Sequence, residues 1–374
     1  MTRMVVMIVP QLRLTGGAER QALRLSASLE AHGQRVTILT SDFGRVSDGR
    51  HSPRVVSIPR PFYVRGLRKI STMLFCLVAA AWIIRNRREI QVVHAHILSP
   101  QAISASIAAR LCRIPAVVKV SSSGLNADYG RYLEHPLRRM LVEWAVTRIV
   151  ATSSLAASEL EELGMSPSQI CRIPNGVPVR SEIQRRSPQQ TVRFICVASF
   201  RAIKGHEVLL QAWARMLRMT AKNCSLVLIG EGQLGDTIVA LIEQLQISDT
   251  VELRGNVSNV AAELQESDVF VLSSWAEGMS NALLEAMESG LPCVVTDVGA
   301  NRENVGAEGE PLLVSAGDDK GLALRLLKVA EDHELRARVG IAMRERILRC
   351  YSIERVAARY QDLYRVLSAT SRSH

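Results

Sequence analysis

Residues 268–303, DVFVLSSWAEGMSNALLEAMESGLPCVVTDVGANRE, read as strand, turn, helix and strand. Residues 268–273 are an apolar run of strand length and 275–278 a polar turn. Ser280 or Asn281 can cap a helix that Gly290 closes, and 292–297 supply the next strand. Such a βαβ unit belongs in an open parallel sheet, where turns and helix N-termini meet at the carboxyl edge and ligands bind. Glu277 lies in the turn and Glu285 on the helix. The first helical turn offers free N–H groups and a partial positive charge, which suit a phosphate.

The same rhythm extends in both directions. MVVMIVP at residues 4–10 suits a buried parallel strand, and Gly16-Gly17 then turns the chain into an amphipathic helix, 18–32, stopped by Gly33. Gly-Gly there reads either as a tight turn or as a phosphate cradle, since a missing Cβ lets a backbone N–H approach an oxyanion. Further strands are expected at 34–40, 53–58, 91–97, 115–121 and 148–153, with helices at 135–146 and 154–164. QVVHAHI at 91–97 ends in His94 and His96, which alternation puts on one face. Without a nearby third ligand the pair does not read as a zinc site. The polar end of the next strand, Ser121 to Gly124, leads through Asn126 to Tyr132 and could line an acceptor side.

The polar run 180–190 reads as a linker. The second half opens on a strand at 192–199, and Arg201 and Lys204, three apart, can face the same way. A strand ending at Gly230-Glu231-Gly232 suits close approach by a base or ribose. Strands at 250–253 and 311–314 follow, then helices from 318 and a last amphipathic stretch at 351–367.

The chain has 374 residues, 47% hydrophobic and 22% charged, which fits a globular enzyme of two domains. Its seven cysteines are scattered without a CxxC pair, and those at 76, 196 and 293 sit in apolar runs as core residues do. No signal peptide is visible, so a reducing cytoplasm is expected. The net charge of +10 calls for an anionic partner. Nucleic acid is disfavoured, because aromatic residues are only 4% and no nucleic-acid-binding motif occurs. A membrane surface or a phosphorylated substrate remains. Residues 67–88 hold an apolar segment, 70–84, bracketed by Arg65, Arg68, Lys69 and by Arg85, Arg87, Arg88. It is too short to span a bilayer. It reads as a helix packed on the sheet, as a helix peripheral on an anionic membrane, or as both. Arg138 and Arg139 make a second basic cluster, read as a solvated face.

Glu277 and Glu285 in EGMSNALLEAMESGLPCVVTDVGANRE resemble the EX7E signature of the family 4 (GT4) retaining glycosyltransferases, in a context of Glu-Gly after a strand, Leu-Leu-Glu-Ala-Met and Gly-Leu-Pro. The resemblance implies the α/β GT-B fold, two Rossmann-like doubly wound domains facing each other across a cleft. It places an acceptor-binding domain at 1–180, with the helix 352–374 packing back on it, and a nucleotide-sugar-binding domain at 181–351. By the same resemblance Glu277 holds donor-sugar hydroxyls and Glu285 the ribose. Gly16, Gly17, Gly230, Gly278, Met279, Ser280 and Asn281 border the donor. His96, the second histidine of the family's HxH element, borders the donor sugar, and His94 is structural. Lys204 neutralises the leaving diphosphate. The family's usual arginine beside that lysine is Ser199 here, with Arg201 as its substitute.

A diphosphate ester carries about two negative charges, and a helix N-terminus supplies roughly half a positive one. Adding Lys204 and Arg201 neutralises it, and no Asp-x-Asp is present to hold a divalent ion. Neither a metal nor another cofactor is therefore expected. The implied activity is transfer of a sugar from a nucleotide-sugar to a lipid-linked or polysaccharide acceptor in cell-envelope glycan synthesis. A nucleotide-sugar epimerase of the same architecture, or a degenerate nucleotide-binding member, is the alternative.

Overall fold

The computed structural model describes residues 3–12, 16–41, 53–58, 68–120, 129–182 and 190–370. The expected loop positions Ser121 to Asn126, Thr15 and Arg65, and residues 183–189 of the expected linker, lie outside them. The chain divides into two compact units, Met1–Pro178 with Ile353–His374, and Val179–Ser352.

The first unit holds strands β1 (Met4–Ile8), β2 (Val36–Thr40), β3 (Arg54–Ser57), β4 (Ile90–Ala95), β5 (Ala116–Val120), β6 (Arg148–Ala151) and β7 (Ile170–Arg172). They pair in parallel in the order β3-β2-β1-β4-β5-β6-β7. Side-chain alternation divides each central strand between two cores. Met4, Val6 and Ile8 face one, with Phe75, Ala79 and Ile83 of helix Arg68–Arg85 and Ala102, Ala105 and Ala109 of helix Pro100–Leu111. Val5 and Met7 face the other, with Leu25 and Leu29 of helix Gly17–Ala31 and Tyr360, Tyr364 and Leu367 of helix Ile353–Thr370. Burial on both sides explains why MVVMI is apolar throughout rather than alternating. The C-terminal helix is thus a layer of the first unit's fold.

The second unit holds β8 (Thr191–Val197), β9 (Asn223–Ile229), β10 (Val251–Leu253), β11 (Val269–Leu272), β12 (Cys293–Thr296) and β13 (Leu313–Val314). Again all pairings are parallel, in the order β10-β9-β8-β11-β12-β13. In each sheet the order reverses beside the first strand, between β1 and β4 and between β8 and β11. The carboxyl ends of these strands flank the crevice where such sheets bind ligands.

Two expectations change. Arg180, read as the start of a flexible polar linker, is pinned within the second unit. Its guanidinium and backbone N–H both donate to the buried Glu288 carboxylate, and Arg344 donates to the Glu288 and Arg180 carbonyls. Helix Arg68–Arg85 packs on the sheet along one side only, and its other side carries exposed Ile70, Met73, Leu77 and Ile84. Among the described residues no helix is long and apolar enough to cross a membrane.

Candidate functional site

At the switch point of the second sheet, two loops are stitched together. The chain leaving β8 runs through a short 3-10 turn, Ala202–Lys204, into helix His206–Leu217. The chain leaving β11 runs through Ser273, Ser274 and Trp275. Trp275 N donates to Ile203 O at 2.8 Å, and the buried Ser273 hydroxyl donates to Gly205 O at 2.9 Å. These bonds bring Lys204 Nζ to 2.6 Å from Glu277 Oε1, and the Ser274 hydroxyl donates to the same oxygen at 2.6 Å. Glu277 is buried while Lys204 is partly exposed, so one edge of the pair stays open to solvent. Behind it, Thr296 at the end of β12 donates to Ser274 O at 2.7 Å.

Gly299 sits at φ +55°, and a Cβ there would collide with the carbonyl of Glu277. The Val-Gly-Ala sequence is therefore a steric requirement of the Glu277 turn. Ala300 N closes the arrangement on Gly278 O at 2.9 Å.

Ser280 caps helix Asn281–Glu288, its Oγ accepting from Leu283 N at 3.3 Å. Glu285 follows on this helix and is half-buried. Met279 and Ser280 are buried, and Gly278 and Asn281 are half-buried. Expectations 277–285 thus fall on one turn and the helix it feeds.

Arg201 is exposed, and its Nε donates to Ser199 Oγ at 3.2 Å. The residue that replaces the family's arginine thus holds the arginine two positions later. Pairing with Glu277 alters the charge count made from sequence: Lys204 shares its charge with a carboxylate, leaving Arg201 and the helix terminus as the other positive groups. Gly230 also meets a local steric requirement. At φ +146°, a Cβ on it would strike the backbone carbonyl of Ala198, so its close neighbour is the adjoining loop. Glu231 accepts from Asn256 Nδ2 at 2.8 Å.

Sequence reading missed His206 and Ser274. His206 begins the helix after Lys204, buried against Phe200, and burial lowers its pKa to about 4, with Lys204 adding repulsion. It is thus neutral beside the site. The signal for Ser274 was a pair of serines closing an apolar strand, where a hydroxyl without a partner would be costly.

In the first unit, Gly16 caps helix Gly17–Ala31 without a side-chain hydrogen bond. A Cβ on Gly16 would meet the Glu19 carboxylate, so this chain's own anion lies against the helix start where a phosphate was expected. His94 and His96, at the end of β4, do share a face, with ring centroids 4.4 Å apart. Both are buried on the side of the C-terminal helix, where His94 Nδ1 lies 2.7 Å from the Tyr364 hydroxyl. Lys119, next door on β5, is also buried and donates to Asn175 Oδ1 at 2.7 Å. Burial lowers the His94 pKa to about 3 and the Lys119 pKa to about 7, and holds His96 well below its ordinary value, with neighbouring positive charge adding to both histidine shifts. Neither His96 ring nitrogen has a hydrogen-bond partner among the described residues. At 2% exposure the ring offers a dissolved sugar no open surface. Among the described residues no group of three or more His, Cys, Asp or Glu could hold a metal ion.

Two parallel, doubly covered sheets, each with polar groups at its switch point, define a pair of nucleotide-binding-type α/β units. Residues 15–181 match the model of Glycosyltransferase Family 4 and residues 180–346 that of Glycosyl transferases group 1. The chain belongs to the family 4 glycosyltransferases. It is 27% identical over 293 residues to N-acetyl-alpha-D-glucosaminyl L-malate synthase of Bacillus anthracis, spanning 75% of this chain and 76% of that one. Over 303 residues it is 25% identical to the UDP-Gal:alpha-D-GlcNAc-diphosphoundecaprenol alpha-1,3-galactosyltransferase of Escherichia coli, with 75% and 76% covered. The structure of HepE from Anabaena, in complex with UDP and glucose, superposes with a TM-score of 0.78 at 16% identity, covering 96% of this chain and 99% of that one. That likeness shows the GT-B fold.

Proposed function

We propose that this glycosyltransferase acts with retention and without a metal, moving a sugar from a nucleotide-sugar to a lipid-linked or polysaccharide acceptor in cell-envelope glycan synthesis. The observation that carries the proposal is the Lys204–Glu277 pair, fixed by Ser274 at the second sheet's switch point and followed by the Ser280-capped helix bearing Glu285. The acceptor class is supported by the similar Escherichia coli galactosyltransferase, whose acceptor is a sugar diphosphoundecaprenol. A UDP donor is supported by the UDP and glucose in the HepE structure. Donor binding is assigned to the second unit and acceptor binding to the first.

In this reading Glu277 accepts hydrogen bonds from donor-sugar hydroxyls, and Glu285 from those of the ribose. The bond between C1 and the diphosphate oxygen breaks. The acceptor hydroxyl oxygen then bonds to C1 on the same face, and its proton passes to the departing phosphate. Lys204, Arg201 and the N–H groups at Ser280–Asn281 stabilise the negative charge that develops, which is catalysis by preorganised donors. Lys204 exchanges part of its contact with Glu277 for the phosphate, so the pair stores the charge in place before the donor arrives.

The test is thermal stability of the purified protein against UDP, GDP, ADP and CMP and their sugar conjugates, in chelator. Stabilisation by one nucleotide family, strengthened by one sugar and abolished in Glu285→Ala, is expected. Absence of any shift, or a shift only with added divalent metal, overturns the donor site as described.

A further inference from the structure

The outer side of the first unit's helix layer is apolar where a water-facing helix is polar. On helix Arg68–Arg85, Ile70, Met73, Leu77 and Ile84 recur at helical spacing, and Leu77 is 59% exposed. Helix Pro136–Ala145 repeats the pattern with Leu137, Met140 and Trp144, and Leu137 is 70% exposed. The opposite sides of both helices are already committed to the core, through Phe75, Ala79 and Ile83 on one and Val142 on the other. These outer residues are thus surplus to folding.

Between the two ridges runs an open groove of about 690 Å³, floored by Ile103, Ile107 and Leu111 of helix Pro100–Leu111 and reaching Arg138 at its edge. Two ridges and an apolar groove make a continuous patch of the kind that marks an interaction site. Exposed cations flank it: Lys69 at the start of the first helix, Arg85, Arg87 and Arg88 at its end, Arg110 beside the groove and Arg138 on the second ridge. Long basic side chains around an apolar face fit the boundary between lipid tails and anionic headgroups, with stems in the apolar layer and charges at the phosphates. A second copy of this face would instead bring like charges together.

We propose that this face, both ridges together, docks the first unit on an anionic phospholipid bilayer. The proposal deepens the reading of a lipid-linked acceptor, on which its biological purpose rests, but the binding itself does not require that reading. Docking would hold the acceptor-binding unit where such an acceptor resides.

The experiment is flotation of the full chain with phosphatidylcholine vesicles, with and without phosphatidylglycerol, at physiological salt. Binding only to the anionic vesicles is expected. It should fall at least about tenfold in Met73→Ser/Leu77→Ser/Met140→Ser, and by a similar factor in Arg85→Ser/Arg87→Ser/Arg88→Ser, each basic residue near such a surface being worth roughly 1 kcal/mol. Brominated lipid should quench Trp144, and that part of the quenching should vanish in Trp144→Phe. All substitutions are at exposed positions, and an unchanged melting temperature shows that the variants fold. Nucleotide stabilisation, measured alongside, should be unaffected. If no nucleotide stabilises any form, the donor-site reading fails while the vesicle result still decides docking. Equal binding to neutral vesicles, no binding to either, or a wild-type dimer that the apolar substitutions dissociate would each overturn the proposal.

Discussion

The two sheets reverse their strand order in the same way, yet their crevices treat polar groups oppositely. At the end of β4 and β5, His94, His96 and Lys119 are buried together, three bases with no carboxylate among the hydrogen bonds described. Removal from water makes charge costly, so the histidines stay neutral and the lysine titrates near neutrality. At the end of β8 and β11, Lys204 meets Glu277 at 2.6 Å with an edge open to solvent. Topology thus provides a crevice in each sheet, and what distinguishes the second is a pair of opposite charges with access to water. The other holds a sheet and its C-terminal helix together.

Lys204→Ala should break the second crevice most severely. Removing one preorganised donor costs about a hundredfold or more in kcat, and single-turnover transfer to a defined acceptor would show it. Near wild-type turnover would mean that the pair is structural, like its counterpart in the first sheet. Glu285→Ala should come next: a nucleotide present at about a hundred times its dissociation constant stabilises by roughly 2.7 kcal/mol, and that increment should vanish. Gly299→Ala forces a Cβ against the Glu277 carbonyl at positive φ and should cost on the order of 1–3 kcal/mol in denaturant unfolding. If the strain is confined to the turn, nucleotide affinity should fall with it.

The smallest effects sharpen the first crevice. His94 has a folded pKa of about 3 against an ordinary 6.5, so the unfolded chain binds more protons between those values. Stability is therefore full above pH 6.5 and is lost as the pH falls toward 3, and His94→Gln should flatten that limb of a melting-temperature profile. Lys119, lowered to about 7 from 10.5, gives the same sign in a higher window. Its burial weighs against folding at neutral pH, so stability should rise from about pH 7 toward 10.5, and Lys119→Met should remove the rise. Unchanged slopes in either variant would show that the cluster is more hydrated than its burial suggests.

Much of this was legible along the chain. Apolar runs of four to seven residues alternate with amphipathic stretches, and a strand buried on both faces can be written only with such runs. Gly33 and Gly290, both at positive φ, end helices where sequence placed their ends, because few other residues tolerate that conformation. Ser280 was readable as a cap because a hydroxyl there satisfies an otherwise unpaired N–H. Glu277 and Glu285 were readable through their spacing and setting. The bond between Arg201 and Ser199 was not foreseen, although both residues were singled out at the departure from the family pattern.

Other features have no local signature. Residues 70–84 are apolar whether a helix is wrapped by neighbours or covered on one side, so composition could not separate a buried helix from one with an exposed ridge. His94 and His96 look alike in a strand ending in QVVHAHI. Only the arrival of Tyr360 and Tyr364, from more than 260 residues away in sequence, closes them off from water. Lys204 and Glu277 lie 73 positions apart, and their bond depends on β8 and β11 being neighbours in the sheet. The sequence by itself determined the alternation of strands and helices and the caps and turns, since these depend on the dihedral preferences and polarity of successive residues. Which charges share a crevice, which histidines lose water and which apolar face remains uncovered were decided by the tertiary structure, because burial and charge pairing depend on what distant segments bring to the same place.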